Sequence, residues 1–253
     1  MSSPASPLRL FVPSDLATGL IIELSSDQAH YVAHVMRRSV GDAVLLFNGR
    51  DGEWQGDLAE IQKKAASVSI TAQTQGQPIE RNLTLLFAPI KRMATDMIVQ
   101  KASELGVTVI QPVITARTNS DRVRVGRLTA IATEASEQCE RLTLPVIFEP
   151  VSIQDKLESW PEDRVLFVMD ETGTGAPIAD VLLESAAQDA TAAAFVIGPE
   201  GGFSETELDL MRSLPFSRFM SLGPRILRAD TAALAALTCW QALCGDWRHA
   251  NKG

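Results

Sequence analysis

Six apolar runs, LTLLFAPI, VTVIQPVIT, LPVIFEPV, RVLFVMD, AAAFVIGPEGG and FSRFMSLGP, follow one another between residues 83 and 224, and helix-patterned segments separate them. Apolar strands spaced by helices of this length imply a mostly parallel sheet covered by helices on both faces. The segment TDMIVQKASELGV shows the periodicity of a helix, with Met97, Ile98, Lys101 and Leu105 at helical intervals and a stop at Gly106. Further helices are expected at about 124–141, 153–159 and 178–188. Residues 232–244 are Ala-rich and shorter than a bilayer requires, so they read as a buried helix.

Residues 8–75 have a different rhythm. A first strand at 8–12 and a helix at 27–38, with Ala29, Val32, Ala33 and Met36 on one face, precede three short strands, AVLLFNG, EWQGDLAEI and ASVSITAQT. This is the pattern of a compact β-barrel. The polar run GQPIERN marks a boundary, giving domains 1–76 and 77–253.

With 45% hydrophobic residues the 253-residue chain can build a substantial core. The formal charge of −8 argues against indiscriminate nucleic-acid binding. The charge is uneven, however. Between residues 91 and 127, Lys91, Arg92, Lys101, Arg117, Arg122, Arg124 and Arg127 face only Asp96, Glu104 and Asp121. This block is the candidate for an anionic polymer, with a solvated helix face as the alternative. Cys139, Cys239 and Cys244 have no CxxC spacing, as expected of reduced thiols in a cytoplasmic protein, and the N-terminus lacks the pattern of a signal peptide. His30 and His34 stand i, i+4 without a third ligand nearby, so no metal site is expected.

Two apolar runs end in a Gly-Pro followed by a helix start. In the first, IGPEGGFSETEL, Ser204 and Glu207 form a capping box; in the second, SLGPRILRAD, Asp230 or Thr231 is the expected cap. The two loops are expected side by side. Gly198, Gly201 and Gly202 allow backbone N–H groups to approach a ligand, yet the loop fits neither GxGxxG nor a P-loop. Pro199 removes an amide and Glu200 adds a negative charge where a phosphate would sit, so a cationic or neutral ligand head suits it better. A plain turn with no ligand is the other reading. Glu134, Glu137, Gln138 and Arg141 share one helix face. No Ser-His-Asp or Cys-His set is visible.

Taken together, IGPEGGFSETEL, LGPRILRADTAAL, IVQKASELGV and EQCER, with RLFV, HVMRRSVGD and LLFNG in the N-terminal unit, resemble the RsmE-type ribosomal RNA methyltransferases. The resemblance covers nearly the whole chain. It implies a PUA-like β-barrel followed by an α/β SPOUT domain with a C-terminal trefoil knot, S-adenosylmethionine as cofactor, a homodimer, and formation of 3-methyluridine in the decoding region of 16S rRNA. By that resemblance Met169, Ile197, Gly198, Glu200, Gly201, Leu222, Gly223, Ile226 and Leu227 line the methyl-donor pocket. Arg228 is expected to stabilise the anion developing on uridine N3, and being permanently charged it cannot be the base. The proton acceptor is then water, Glu137 or a group from the partner chain. Arg9, His30, Arg37, Arg92, Arg117 and Arg141 are the expected RNA contacts. The segment after Arg141, Leu142-Thr143-Leu144-Pro145, departs from the family's second basic residue. The competing function is an inactive RNA-binding assembly factor of the same fold; a dinucleotide oxidoreductase is disfavoured by the absent GxGxxG.

Overall fold

The computed structural model describes residues 7–119, 122–161, 164–187 and 192–248, and they divide into two compact units. The first comprises the chain up to Ile79 together with Ser136–Leu144; the second begins at Glu80 and contains the remainder. The first crossing lies between Ile79 and Glu80. The excursion of Ser136–Leu144 into the first unit has no linear signal, because it rests on contacts across more than a hundred residues: the Phe11 N–H donates to Glu137 Oε1 (2.9 Å), and Arg9 pairs with Glu140.

In the first unit β1 (Leu8–Phe11), β2 (Ile21–Glu23), β3 (Ala43–Phe47), β4 (Glu53–Ile61) and β5 (Ala66–Gln75) form a five-stranded sheet in the order β1-β3-β4-β5-β2. The β1–β3 pair is parallel and the others are antiparallel. Three register shifts between β4 and β5 curve the sheet around a core that includes Leu10, Leu46, Leu58 and Val68. The expected helix at 27–38 is shorter than its periodicity suggested. A capping box of Ser25 and Gln28 opens α1 (Ser26–His30), and a π-helical stretch, Tyr31–Val35, ends it. The early end leaves Met36 partly in solvent instead of on a packed face, and puts Arg37 in the left-handed region at φ 50°.

In the second unit β6 (Asn82–Phe87), α2 (Arg92–Glu104), β7 (Val109–Ile114), α3 (Val125–Gln138), β8 (Val146–Ile147), β9 (Val151–Ser152), α4 (Ile153–Glu158), β10 (Val165–Met169), β11 (Ala176–Pro177), α5 (Ile178–Ala187), β12 (Ala192–Ile197), α6 (Glu205–Ser213), β13 (Ser217–Ser221) and α7 (Ala229–Leu243) succeed one another. The strands lie in the order β11-β13-β10-β12-β6-β7-β8, with β9 also beside β7, and each pairing is parallel. Alternation along the strands splits the core into two layers. Leu85 and Phe87 of β6, Phe167 of β10 and Phe195 of β12 pack with α2, α3, α5 and α7. Leu86, Leu166, Val168 and Val196 pack on the other face with α4 and α6.

The expected buried C-terminal helix is α7, whose Ala233, Ala236, Leu237 and Trp240 face the sheet. Among the described residues no helix is long and apolar enough to cross a membrane. Trp240 is 1% exposed and meets the rings of Phe167 and Phe195 at centroid distances of 6.0 and 5.9 Å. Truncating it should leave a cavity that three packed elements cannot close. Trp240→Ala is expected to lower stability by about 3–5 kcal/mol in urea unfolding; a loss below about 1 kcal/mol would contradict this packing.

Candidate active site

A parallel sheet directs the carboxyl ends of its strands to one edge, and ligands bind there. In the second unit the loops leaving β10, β12 and β13 together line a cavity of about 380 Å³. Strand β10 lies between β12 and β13, so the two Gly-Pro loops are not direct neighbours as expected. They flank a third loop, Asp170-Glu171-Thr172-Gly173, and all three line the same cavity.

The loop after β12 is set by local hydrogen bonds. The Gly202 N–H donates to Pro199 O (2.9 Å), closing a turn with Gly202 at φ 68°. That positive φ is what calls for glycine; a Cβ there would also displace the Glu171 carboxylate, the far end of a flexible side chain. Ser204 and Glu207 form the capping box read from the sequence. Glu207 also reaches outward. Buried at 5% exposure, it accepts the N–H of Ser204 at Oε2 (2.8 Å) and that of Ala116 at Oε1 (2.7 Å), joining the loop after β7 to the start of α6. Arg117, the next residue, donates from Nη1 to Gly201 O (2.7 Å).

The loop after β13 places Gly223 at φ 99° and leads into α7. Its cap differs from expectation. Arg228 occupies the N-cap position with no side-chain capping bond, its carbonyl accepting the Ala232 N–H (2.8 Å), and Asp230 lies inside the first turn.

Of the residues assigned to a pocket from the sequence, Met169, Ile197, Gly198, Glu200, Leu222, Gly223, Ile226 and Leu227 line this cavity, and so does Arg228. Gly201 is not among the lining residues; Gly202 stands there instead. The sequence reading passed over Asp170, Glu171 and Phe203, which also line it. DETGTG follows an apolar strand as the other two loops do, which marks it as a loop at a strand end but not as part of this cavity.

The remaining assigned residues lie elsewhere. Arg9 is not an exposed cation: its side chain is 10% exposed and forms an ion pair with the buried Glu53. Arg141 is buried, and its Nε donates to Thr143 Oγ1 (2.9 Å). Glu137 does not line the cavity; its carboxylate accepts the Phe11 N–H. Arg37, Arg92 and Arg117 are exposed, as is His30, whose ring lies 4.8 Å from that of His34.

Two carboxylates of the middle loop have opposite character. Burial works to raise Asp170, but hydrogen bonds from Thr174 and Thr172 outweigh it and hold the carboxyl below its ordinary value. Partial burial raises Glu171, against the nearby Arg117 guanidinium, and the Asp170 charge adds to the rise. Asp170 is ionised more readily in the folded state than in the unfolded one. It therefore stabilises the fold above the ordinary carboxylate range and loses that contribution as pH falls through its folded value. Asp170→Asn is expected to flatten the acid limb of the stability curve measured by denaturant unfolding; an acid limb identical to that of the unaltered protein would contradict this.

The chain matches the family model for an RNA methyltransferase domain over residues 77–241, and that for an RNA methyltransferase PUA domain over residues 24–71. It is 37% identical to the ribosomal RNA small subunit methyltransferase E of Rickettsia conorii, across 90% of this chain and 93% of that protein. Identity to the protein of the same name from Synechocystis is 30%, across 96% of this chain and 80% of the other. Two solved structures align with a TM-score of 0.86. One is a ribosomal RNA small subunit methyltransferase E from Neisseria gonorrhoeae bound to S-adenosyl methionine, at 28% identity, with 95% of this chain and 99% of that one covered. The other is a Legionella pneumophila methyltransferase in complex with the cofactor SAM, at 30% identity, with 96% and 100% covered. A model spanning most of the chain, and relatives matched along 80% or more of their length, lead to one conclusion: the chain belongs to the ribosomal RNA small subunit methyltransferase E (RsmE) family.

Proposed function

We propose that the three-loop cavity holds S-adenosylmethionine and that the chain methylates uridine N3 in 16S rRNA. The observation that carries this is the convergence of both Gly-Pro loops on one cavity that Arg228 also lines. The residues fit the cofactor. About 380 Å³ suits a molecule of its size. Ile197, Leu222 and Leu227 offer apolar wall for an adenine, and the carboxylates of Asp170, Glu171 and Glu200 suit a cationic ligand better than a phosphate. The bound cofactor supplies an electrophilic methyl group on a sulfonium.

The chain's own residues do the rest. Gly198 and Gly202 bring backbone close to the ligand, and the Glu207 bonds to Ser204 and Ala116 keep that backbone in place, so alignment of donor and acceptor is the main source of rate. Arg228 stabilises the anion on N3 as the proton leaves. Water, Glu137 or a group from a second copy of the chain takes the proton. Arg37, Arg92, Arg117 and His30 contact the RNA, whereas Arg9 and Arg141 support the first unit from within. The homodimer belongs to this reading, supported by Met93 and Ile226, each apolar and 85% exposed. So does the trefoil knot, supported by a strand order in which β12 is inserted between β6 and β10 and β13 then passes β10. The same fold without activity would not need three loops shaped around one cavity.

Calorimetric titration with S-adenosylmethionine tests the cofactor site. Saturable one-site binding is expected, and Gly202→Ala, which forces a side chain onto a backbone at φ 68° and displaces the Glu171 carboxylate, should weaken it by at least about tenfold. No binding to the unaltered protein would overturn the reading. Arg228→Ala is expected to reduce turnover by about 10²-fold or more while cofactor affinity changes little; near wild-type turnover would remove Arg228 from its role.

A further inference from the structure

The second unit holds another cavity, of about 260 Å³, and four of its lining side chains are Arg92, Arg122, Arg124 and Arg127. Arg127 forms an ion pair with Asp96. Arg92, Arg122 and Arg124 are exposed and form no ion pair among the described residues. The helices beside them add to the positive potential. α2 starts at Arg92 with neither a side-chain cap nor an acidic residue in its first turn. α3 has no acidic residue in its first turn either, and the N–H groups of Arg127 and Leu128, its third and fourth residues, donate to the Arg124 carbonyl (3.0 and 3.1 Å). Helix N-termini are partly positive and favour acidic neighbours. Two that instead converge on arginines carry a repulsion from which folding gains nothing and which a bound anion removes.

The cavity's place on the sheet indicates which anion. β6 and β12 are parallel neighbours with Phe87 opposite Ile197, and the Ala88 N–H donates to Ile197 O (3.0 Å). The segment from β6 into the basic cavity thus starts beside the loop that lines the methyl-donor site. Arg117, from the loop after β7 on the far side of β6, reaches Gly201 in that same loop. The apolar residues around the basic cavity, such as Ile90 and Leu128, include no aromatic ring on which a base could stack.

We propose that this cavity grips a backbone phosphodiester of the RNA strand next to the target nucleotide, with Arg92, Arg122 and Arg124 as its direct contacts and Asp96 positioning Arg127. The proposal rests on the rRNA methyltransferase reading and adds to it a site that recognises the strand without reading its sequence. Arg122→Gln and Arg124→Gln, each exposed and without an ion pair among the described residues, test it in the full chain. Binding of a small-subunit rRNA fragment is followed against salt concentration, alongside steady-state methylation kinetics and calorimetry with S-adenosylmethionine. Each variant is expected to raise KM for RNA about tenfold and to lower the salt slope by about one. kcat at saturating RNA and cofactor affinity should stay unchanged, and Arg124→Lys should restore most of the binding.

Unchanged KM and slope would overturn the proposal, as would an effect confined to kcat or to cofactor affinity. Saturable binding of inorganic phosphate with unaltered RNA kinetics in the variants would reassign the cavity to a small anion, and a changed oligomeric state in the variants would reassign it to a contact between copies. If the unaltered protein fails to methylate rRNA, it is the functional reading that falls.

Discussion

Because each ladder of the second unit is parallel, the carboxyl ends of its strands share one edge, and what the chain can do chemically is confined to the loops leaving that edge. Strand order then decides which loops meet. With β10 between β12 and β13, three segments far apart in sequence form one cavity, while the loop after β6 stands one strand over and builds a basic cavity of its own. The two-layer core, with alternate residues of β6, β10 and β12 buried on opposite faces, holds that order rigidly.

The cavity is held by a small number of bonds that each tie two loops. Glu207 satisfies N–H groups on both α6 and the loop after β7, Arg117 fastens the latter to Gly201, and Gly202 lets the Glu171 carboxylate approach the backbone. A buried carboxylate committed as that of Glu207 is would be costly to leave unpaired. That cost favours one arrangement of the loops over the alternatives, which is what an alignment-driven methyl transfer requires.

What could be read from the sequence was what is decided locally. The capping box of Ser204 and Glu207 involves residues three apart, and the alternation along β6 or β12 follows from the pleat; both were legible. Strand order was not, because pairing of Val168 with both Val196 and Phe219 leaves no trace in any short window. Asp170 and Glu171 were missed for that reason, since only the order β13-β10-β12 brings their loop into the cavity. The pairing of Arg9 has no local sign for the same reason: its partner Glu53 is remote in sequence, and an arginine in a short strand gives no sign of being paired inside. Arg228 at the N-cap, in place of the better-capping Asp230 two residues on, is a local rule that yields at the site itself.

On this reading the cavity delivers a methyl group to N3 of a uridine in small-subunit rRNA. That delivery is tested most directly by incubating the protein with S-adenosylmethionine and small-subunit RNA from cells lacking it, then analysing the nucleosides by mass spectrometry. The account predicts the appearance of 3-methyluridine in RNA that previously lacked it. A product methylated at another position, or 3-methyluridine already present in RNA from those cells, would contradict it.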